Sequence, residues 1–293
     1  MKSTTEITES DAGTAATAEY PIDTIGVIGH GFVGKAVARA FKGYTDVKVW
    51  DWRPERATHT LVQVLKQQVV FICLPTPLAP AGAADLSAIH ELLAAVKGSD
   101  QTLVLMSTVP PGTTEDLANR YRLRGLVCSP AFMTARTNLV DFEKPSRLLI
   151  GAPRRSCRAA LVLTRVYGRR FPESPLLLMR PTEAELVKYI SNCFFAVKVS
   201  YFNEMRAVSR WLSCRWDYVM EAVLADERIG RSHTLVPGPD GKAGFGNNLL
   251  KDVPALIGTA QDLAVNAHVL IGAWHRNAES RTPVLGPGIG TNF

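Results

Sequence analysis

Thr24-Ile-Gly-Val-Ile-Gly-His-Gly-Phe-Val-Gly34 is the stretch on which the fold turns. A β-branched apolar run, Thr24 to Ile28, passes straight into Gly29-x-Gly31-x-x-Gly34, and a helical pattern begins at Lys35. Strand, glycine turn and helix in that order form the dinucleotide-binding fingerprint in the context it requires. Gly29 permits the tight turn, Gly31 lets the backbone approach a pyrophosphate, and Gly34 lets helix and strand pack closely. The helix N-terminus, with Phe32 and Val33 at its start, supplies free N–H groups and the positive end of a dipole. Asp51 stands at the end of the second strand, where a carboxylate accepts hydrogen bonds from the adenosine ribose hydroxyls, so NAD is the expected cofactor. Arg53 and Arg56 keep NADP open as the alternative, since an arginine can meet a 2′-phosphate. His30 sits at a variable position and is given no role.

Outward from this motif, apolar runs alternate with amphipathic helical patterns. The runs are Thr24 to Ile28, Val47 to Trp50, Val69 to Leu74, Thr102 to Met106, Leu126 to Cys128 and Leu148 to Ile150, with helical patterns at about 34 to 42, 85 to 97, 113 to 122 and 153 to 167. Strict alternation means βαβ units, so the fold class is α/β, a Rossmann-type, doubly wound, mostly parallel sheet. The third and fourth strands end in Leu74-Pro-Thr-Pro77 and Ser107-Thr-Val-Pro-Pro-Gly112. Ligands of open α/β sheets bind at the carboxyl ends of strands, which places Leu74, Pro75, Thr76, Ser107 and Thr108 beside the nicotinamide half of the cofactor. Each proline reads equally well as a simple turn-former.

After Pro181 the periodicity changes. Leu186, Ile190, Phe194, Val197, Tyr201, Met205, Val208, Leu212, Trp216 and Val219 recur every three or four residues, which predicts one very long helix with a break near Ser213. Such a helix would run roughly 50 to 60 Å, longer than a small domain is wide, and its apolar stripe calls for a partner chain. A homodimer is expected. Helices at about 252 to 262 and 264 to 279 complete an all-helical second domain. The expected organisation is a disordered tail over 1–21, an NAD-binding domain over 22–181, a helical dimerisation and substrate domain over 182–281, and a flexible tail over 282–293.

Composition narrows the class. The 293 residues are 46% hydrophobic and 20% charged, as in ordinary globular chains, and two domains fit that length. No apolar run approaches ~18 residues and the first twenty residues lack a signal peptide's basic start and apolar core, so no membrane span and a cytoplasmic location are expected. Thirty-three Lys and Arg against twenty-seven Asp and Glu give +6, which suits an anionic small ligand. Arg154, Arg158, Arg165 and Arg169 share one helix face, with Leu161 and Val166 turned to the core. Without interleaved aromatics they read as a solvated face rather than a nucleic-acid site. Cys73, Cys128, Cys157, Cys193 and Cys214 are widely spaced with no C-x-x-C pair, so neither a disulfide framework nor a metal site is expected.

Six ordered motifs carry a resemblance. They are the glycine fingerprint with Ser107-Thr-Val-Pro-Pro-Gly-Thr113; Ser129-Pro-Ala-Phe132 with Asp141-Phe and Pro145-Ser-Arg-Leu-Leu-Ile-Gly151; Glu183-Ala-Glu-Leu-Val-Lys-Tyr-Ile-Ser-Asn192; Phe202-Asn-Glu204; Asp226-Glu-Arg-Ile-Gly230; and Gly244-Phe-Gly246 with Lys251-Asp252. In this order they resemble the UDP-glucose and GDP-mannose 6-dehydrogenases, from about Ile25 to Asn277. That family oxidises a sugar CH₂OH to a carboxylate in two NAD-dependent steps, through a thiohemiacetal on a cysteine. Lys188 and Asn192 are four apart and share a helix face, where a cation and an amide can hold a water or a developing alkoxide. By resemblance they are the catalytic pair, and Asp252 takes or relays the alcohol proton, although an N-cap role would also suit an aspartate at a helix start. The Lys-x-x-x-Asn spacing also occurs in β-hydroxyacid dehydrogenases. The resemblance further implies Thr108 as catalytic, Lys251 at the cofactor, and Arg228, Phe132, Asn203, Gly246, Asn247 and Asn248 at the substrate, with Arg228 reaching a neighbouring subunit.

The departures redirect the expected chemistry. Where the family reads Gly-x-Gly-Gly-x-Cys-x-Pro-Lys-Asp, this chain reads Gly244-Phe-Gly-Asn-Asn-Leu-Leu-Lys-Asp252, one residue shorter and without the cysteine. Ala131 and Ala135 replace both glutamates of the family's P-E-F-L-x-E-G run. Cys193 adjoins Asn192, but one residue along a helix is a turn of about 100°, away from the catalytic face. Without a thiolate the aldehyde cannot be trapped covalently. About fifteen residues follow Asn277 where the family continues into a further α/β domain, which leaves two readings: a smaller substrate such as a nucleoside, a nucleoside monophosphate or a sugar phosphate, or a partner chain that closes the site. The expected function is therefore an NAD-dependent dehydrogenase taking a primary alcohol to the aldehyde in one two-electron step. The alternatives are four-electron oxidation to the acid and a catalytically silent NAD-binding subunit.

Overall fold

The computed structural model describes residues 22–79, 82–133, 138–246 and 248–281. The expectations for the two tails and for Ala135 and Asn247 lie outside these residues, as does the side chain of Asn248.

Among the described residues seven strands form one sheet: β1 (Thr24–Ile28), β2 (Asp46–Trp50), β3 (Val69–Ile72), β4 (Thr102–Leu105), β5 (Leu126–Cys128), β6 (Leu148–Gly151) and β7 (Leu176–Met179), in the order β2-β1-β3-β4-β5-β6-β7. All neighbours are parallel except β5 and β6. Alternate side chains of one strand enter opposite layers. Val69 and Phe71 join the layer of α1 (Phe32–Phe41) and α6 (Cys157–Arg170), whereas Val70 and Ile72 join that of α2 (Leu61–Leu65), α3 (Ser87–Ala95) and α4 (Thr113–Arg120). Burial on both faces explains why these strands read as unbroken apolar runs. The expected doubly wound, mostly parallel sheet is the observed one.

Differences from expectation fall on short or weakly patterned segments. β7 was not anticipated: Leu176–Met179 carries no β-branched residue, and it lies at the sheet edge with Leu177 and Leu178 exposed. The helices α2 and α5 (Asn138–Glu143) are too short to show a period. Leu161 of α6 is 60% exposed, against its expected core position, while Val166 is buried.

Pro181 opens α7 (Pro181–Trp211), with Glu183 bonding back to the Arg180 N–H as the reciprocal half of a capping box. The helix is about 46 Å long, shorter than the roughly 50 to 60 Å expected, because the chain breaks at the anticipated place near Ser213 and does not continue as one helix. Ser213 has φ +54° there, a left-handed residue that cannot continue a helix, and α8 (Trp216–Leu224) resumes beyond it. Helices α9 (Asn248–Asp262) and α10 (His268–Arg281) pack on α7 through Cys193, Ala196, Phe245, Val253 and Trp274. Because α9 starts at Asn248, Asp252 lies inside the helix and is not its N-cap, which corrects that reading. Leu186, Ile190, Phe194, Tyr201 and Val208 form a stripe along α7, each 39–60% exposed. Among the described residues no helix is long and apolar enough to cross a membrane.

Candidate active site

The chain passes from β1 to β2 on one side and returns to β3 on the other, so a crevice opens at the carboxyl ends of β1 and β3. Gly29 turns there with φ +90°, and a Cβ on it would stand 2.6 Å from the Cys73 carbonyl oxygen. A Cβ on Gly34 would stand 1.8 Å from the Gly29 carbonyl oxygen, so only glycine lets α1 begin this close to the turn. A Cβ on Gly31 would meet nothing within 4 Å, so its bare backbone faces open space at the helix start. Phe32 and Val33 form the first turn of α1, which has no side-chain cap. Asp51, 6% exposed, accepts the His30 N–H at 2.7 Å and the Arg53 N–H at 2.9 Å, which fixes its carboxylate beside the glycine turn. Next to it lies a cavity of about 500 Å³ lined by Trp50, Asp51, Trp52, Pro54, Thr58 and Thr60. Open backbone at a helix N-terminus, an anchored carboxylate and an adjacent cavity fit the pyrophosphate, ribose and adenine of a dinucleotide.

The neighbouring strand ends are tied together. Ser107 Oγ donates to the Leu74 carbonyl at 2.7 Å, and Thr76 Oγ1 donates to the Thr108 carbonyl at 2.8 Å. Leu74, Pro75, Thr76, Ser107 and Thr108 therefore border one edge of the crevice together.

Lys188, Asn192 and Asp252 also meet, each at most 9% exposed. Lys188 Nζ donates to the Ala131 carbonyl at 2.7 Å and lies 5.2 Å from the centre of the Phe132 ring. Asn192 Nδ2 donates to Asp252 Oδ2 at 2.5 Å, and Lys251 Nζ pairs with Asp252 Oδ1 at 2.7 Å. Lys251, expected at the cofactor, is here paired with Asp252 and holds its carboxylate. Burial lowers the Lys188 ammonium to about 8; Asp252 opposes this, and Lys251 and Arg147 reinforce it. The Arg147 guanidinium lies over Phe132 at 4.1 Å, so two cations, Arg147 and Lys188, stand near this ring. Arg147 was quoted only as part of a motif. Its place could not be read from spacing, because it lies 41 positions from Lys188.

Elsewhere the expected residues hold the frame. Asn203 Oδ1 accepts the Gly244 N–H at 3.1 Å, and Asn277 Oδ1 accepts the Phe245 N–H at 2.6 Å, so the Gly244–Gly246 segment is pinned to α7 and α10. Arg228 is exposed and its guanidinium is folded onto Asp226 at 2.5 Å, so it is not brought to the Lys188 group within this chain. Among the described residues no three His, Cys, Asp or Glu side chains gather as a metal site.

Residues 51–170 match the NAD-binding domain of the UDP-glucose/GDP-mannose dehydrogenase family, and residues 182–279 match its central domain. A UDP-glucose dehydrogenase structure from Pyrobaculum islandicum superposes with TM-score 0.76 at 30% identity, covering 91% of this chain and 70% of that one. The chain belongs to the UDP-glucose/GDP-mannose dehydrogenase family. The UDP-glucose 6-dehydrogenase of Pseudomonas aeruginosa is 33% identical over 229 residues, and a putative UDP-glucose 6-dehydrogenase of Bacillus subtilis is 29% identical over 220. These alignments cover 73% and 71% of this chain. The chain spans about half the length of the curated relatives it matches.

Against the family's pattern, the thiols here are poorly placed. Cys193 Sγ is buried against the Asp252 backbone carbonyl at 3.8 Å, and burial pushes its thiol up to about 12. Burial likewise raises Cys73 and Cys128. Cys157 and Cys214 are exposed at the start of α6 and in the turn after α7. A nucleophilic cysteine needs a low pKa and access to the site, and no described cysteine combines them beside Lys188.

Proposed function

We propose that this chain is an NAD-dependent dehydrogenase that oxidises a primary alcohol on a sugar, nucleoside or nucleotide-like substrate to the aldehyde, two electrons per substrate. The observation that carries this reading is the buried Lys188–Asn192–Asp252 group, whose nearest thiol, Cys193, is buried with its pKa pushed up rather than exposed as a nucleophile. On this reading Gly29, Gly31, Phe32, Val33 and Gly34 present backbone to the pyrophosphate and Asp51 receives the ribose hydroxyls. Leu74 to Thr76, Ser107 and Thr108 border the nicotinamide. A nicotinamide held there would supply the acceptor for the hydride that leaves the carbinol carbon.

The chain's own groups handle the proton. With its pKa near 8, Lys188 is neutral often enough near physiological pH to take the alcohol proton as the C–H bond breaks. The resulting ammonium stays in the field of Asp252, while Asn192 and Lys251 hold that carboxylate in place. Phe132 walls the site on the Ala131 side, and Asn203 sets the loop that ends at Gly246 against the substrate. The family reaction continues to the carboxylate through a cysteine adduct. Here no thiol is available for one, and the aldehyde is released.

We further propose that the exposed stripe of α7 is covered by a second copy, and that Arg228 acts across that interface on an anionic substrate. Five free cysteines suit a reducing, cytoplasmic setting. The test is stoichiometric: purified protein and NAD are screened against nucleotide sugars, nucleosides and sugar phosphates, and NADH is counted per substrate consumed. One NADH with a trappable aldehyde is expected. Two with a carboxylate product would instead establish the four-electron reaction.

A further inference from the structure

Glu185 lies one helical turn before Lys188 on α7, 2% exposed, in a part of the molecule that the proposed chemistry does not use. Its Oε2 accepts the Gly112 N–H at 2.6 Å, and its Oε1 accepts the Thr114 N–H at 2.8 Å and the Thr114 hydroxyl at 2.6 Å. Three donors from the turn that opens α4 thus converge on one carboxylate of the helix that carries Lys188. That turn is continuous with Ser107 and Thr108, which are themselves bonded to Leu74 and Thr76. Gly112 has φ +97°, so the turn is held in a conformation open to glycine, and the carboxylate satisfies N–H groups that the turn leaves unpaired.

We propose that Glu185 is a positioning residue that clamps the Ser107–Thr114 segment to α7, sets the nicotinamide edge of the crevice against Lys188, and thereby governs affinity for NAD. The inference rests on the dinucleotide reading of the crevice. A carboxylate accepts from all three donors, whereas its protonated form gives up part of that capacity. Burial raises Glu185 to about 7, against the bonds from Thr114 and Gly112 that favour the charged form. The titratable groups that act on it or that it acts on are Asp116 of α4, Cys128 of β5 and Tyr189 of α7. The clamp is therefore closed above about pH 7 and loosens below it. Global stability moves the other way. A carboxyl whose folded pKa is raised above its unfolded value binds the proton more tightly when folded, so folding gains as pH falls from 7 towards 4.5.

These opposite signs make the test. Binding of NAD to the full chain is followed by tryptophan fluorescence between pH 6 and 8.5, using Trp50 and Trp52 beside the cavity, with urea unfolding in parallel. The wild type should bind about tenfold more weakly at pH 6 than at pH 8.5, as expected for loss of one hydrogen bond to a charged acceptor. Glu185→Gln should bind about tenfold more weakly at pH 8.5 and show no further loss at pH 6, with a urea midpoint at pH 8.5 no lower than wild type. Thr114→Val keeps the carboxylate and removes one donor, so it should weaken binding a few-fold and retain the pH dependence. Affinity that does not depend on pH, or a Glu185→Gln protein with wild-type affinity, overturns the inference and leaves the dehydrogenase reading standing. A Glu185→Gln protein that loses affinity only in step with stability makes Glu185 structural and also overturns it. If Glu185→Gln does not fold, Thr114→Val decides, and unchanged affinity there overturns the clamp. A wild type that binds no NAD at any pH overturns the dehydrogenase reading, and the inference falls with it.

Discussion

Replacing Lys188 by methionine should make the protein more stable at pH 7 while removing its turnover. Lys188 is 9% exposed, and burial brings its pKa from 10.5 to about 8. At about 1.4 kcal/mol per pH unit, that gap corresponds to a folding cost of ~3 kcal/mol wherever the lysine is charged in both states. Methionine fills similar volume without the charge. It also leaves the Ala131 carbonyl without its 2.7 Å donor, at a cost of about 1 kcal/mol. The net expectation is a gain of ~2 kcal/mol. The sign with pH follows from linkage: a base whose folded pKa is depressed carries its full penalty below pH 8 and sheds it between 8 and 10.5. The advantage of the variant should therefore hold at pH 7 and shrink steadily at higher pH. Urea unfolding of both proteins at pH 7 and 9.5 measures this directly, and turnover at pH 8 should fall about a thousandfold, as for loss of a general base. A variant less stable than wild type at pH 7 would show that Lys188 is a structural residue and that its burial is not costly.

The remaining predictions concern the same sites. The log of kcat/KM should rise with pH to a plateau whose midpoint is near 8; Arg147→Gln should move that midpoint up and Asp252→Asn should move it down, because the first removes a cause that lowers Lys188 and the second a cause that raises it. Movement in the reverse direction in either variant would remove Lys188 as the titrating group. Gly31→Ala should fold normally, since nothing lies within 4 Å of the added carbon, yet lose NAD affinity at least tenfold; Gly34→Ala should cost more than ~2 kcal/mol of stability because its Cβ overlaps the Gly29 carbonyl. Equal urea midpoints for the two variants would contradict this assignment. Ile190→Glu with Phe194→Glu should convert a dimer into a monomer by analytical ultracentrifugation, and a wild type that sediments as a monomer would show that the α7 stripe is not a self-association surface.

Much of the architecture was legible because its signals are local. The glycine spacing after β1 is forced by contacts between neighbouring backbone segments, and apolar runs flanked by helical patterns follow from burial on both sheet faces. The break near Ser213 was expected even though the apolar period runs on from Leu212 to Trp216. What escaped reading had no period to show: β7 is four residues at an edge, and α2 and α5 span little more than one turn. Leu161 went wrong because one apolar residue on a basic helix does not by itself declare which side meets the core.

The site divides in the same way. That Lys188 and Asn192 share a face is a property of any helix with four-residue spacing, and the sequence alone established it, together with the glycine turn, Asp51 and the lack of the family's cysteine. That Asp252 bonds Asn192, that Lys251 pairs with Asp252, that Arg147 borders Phe132, and that Glu185 holds Gly112 and Thr114 were settled only by the tertiary structure. These partners lie on different elements or far apart along the chain. Hydrogen-bond geometry and the burial that moves a pKa depend on which surfaces close over one another, and spacing along a single element does not encode that.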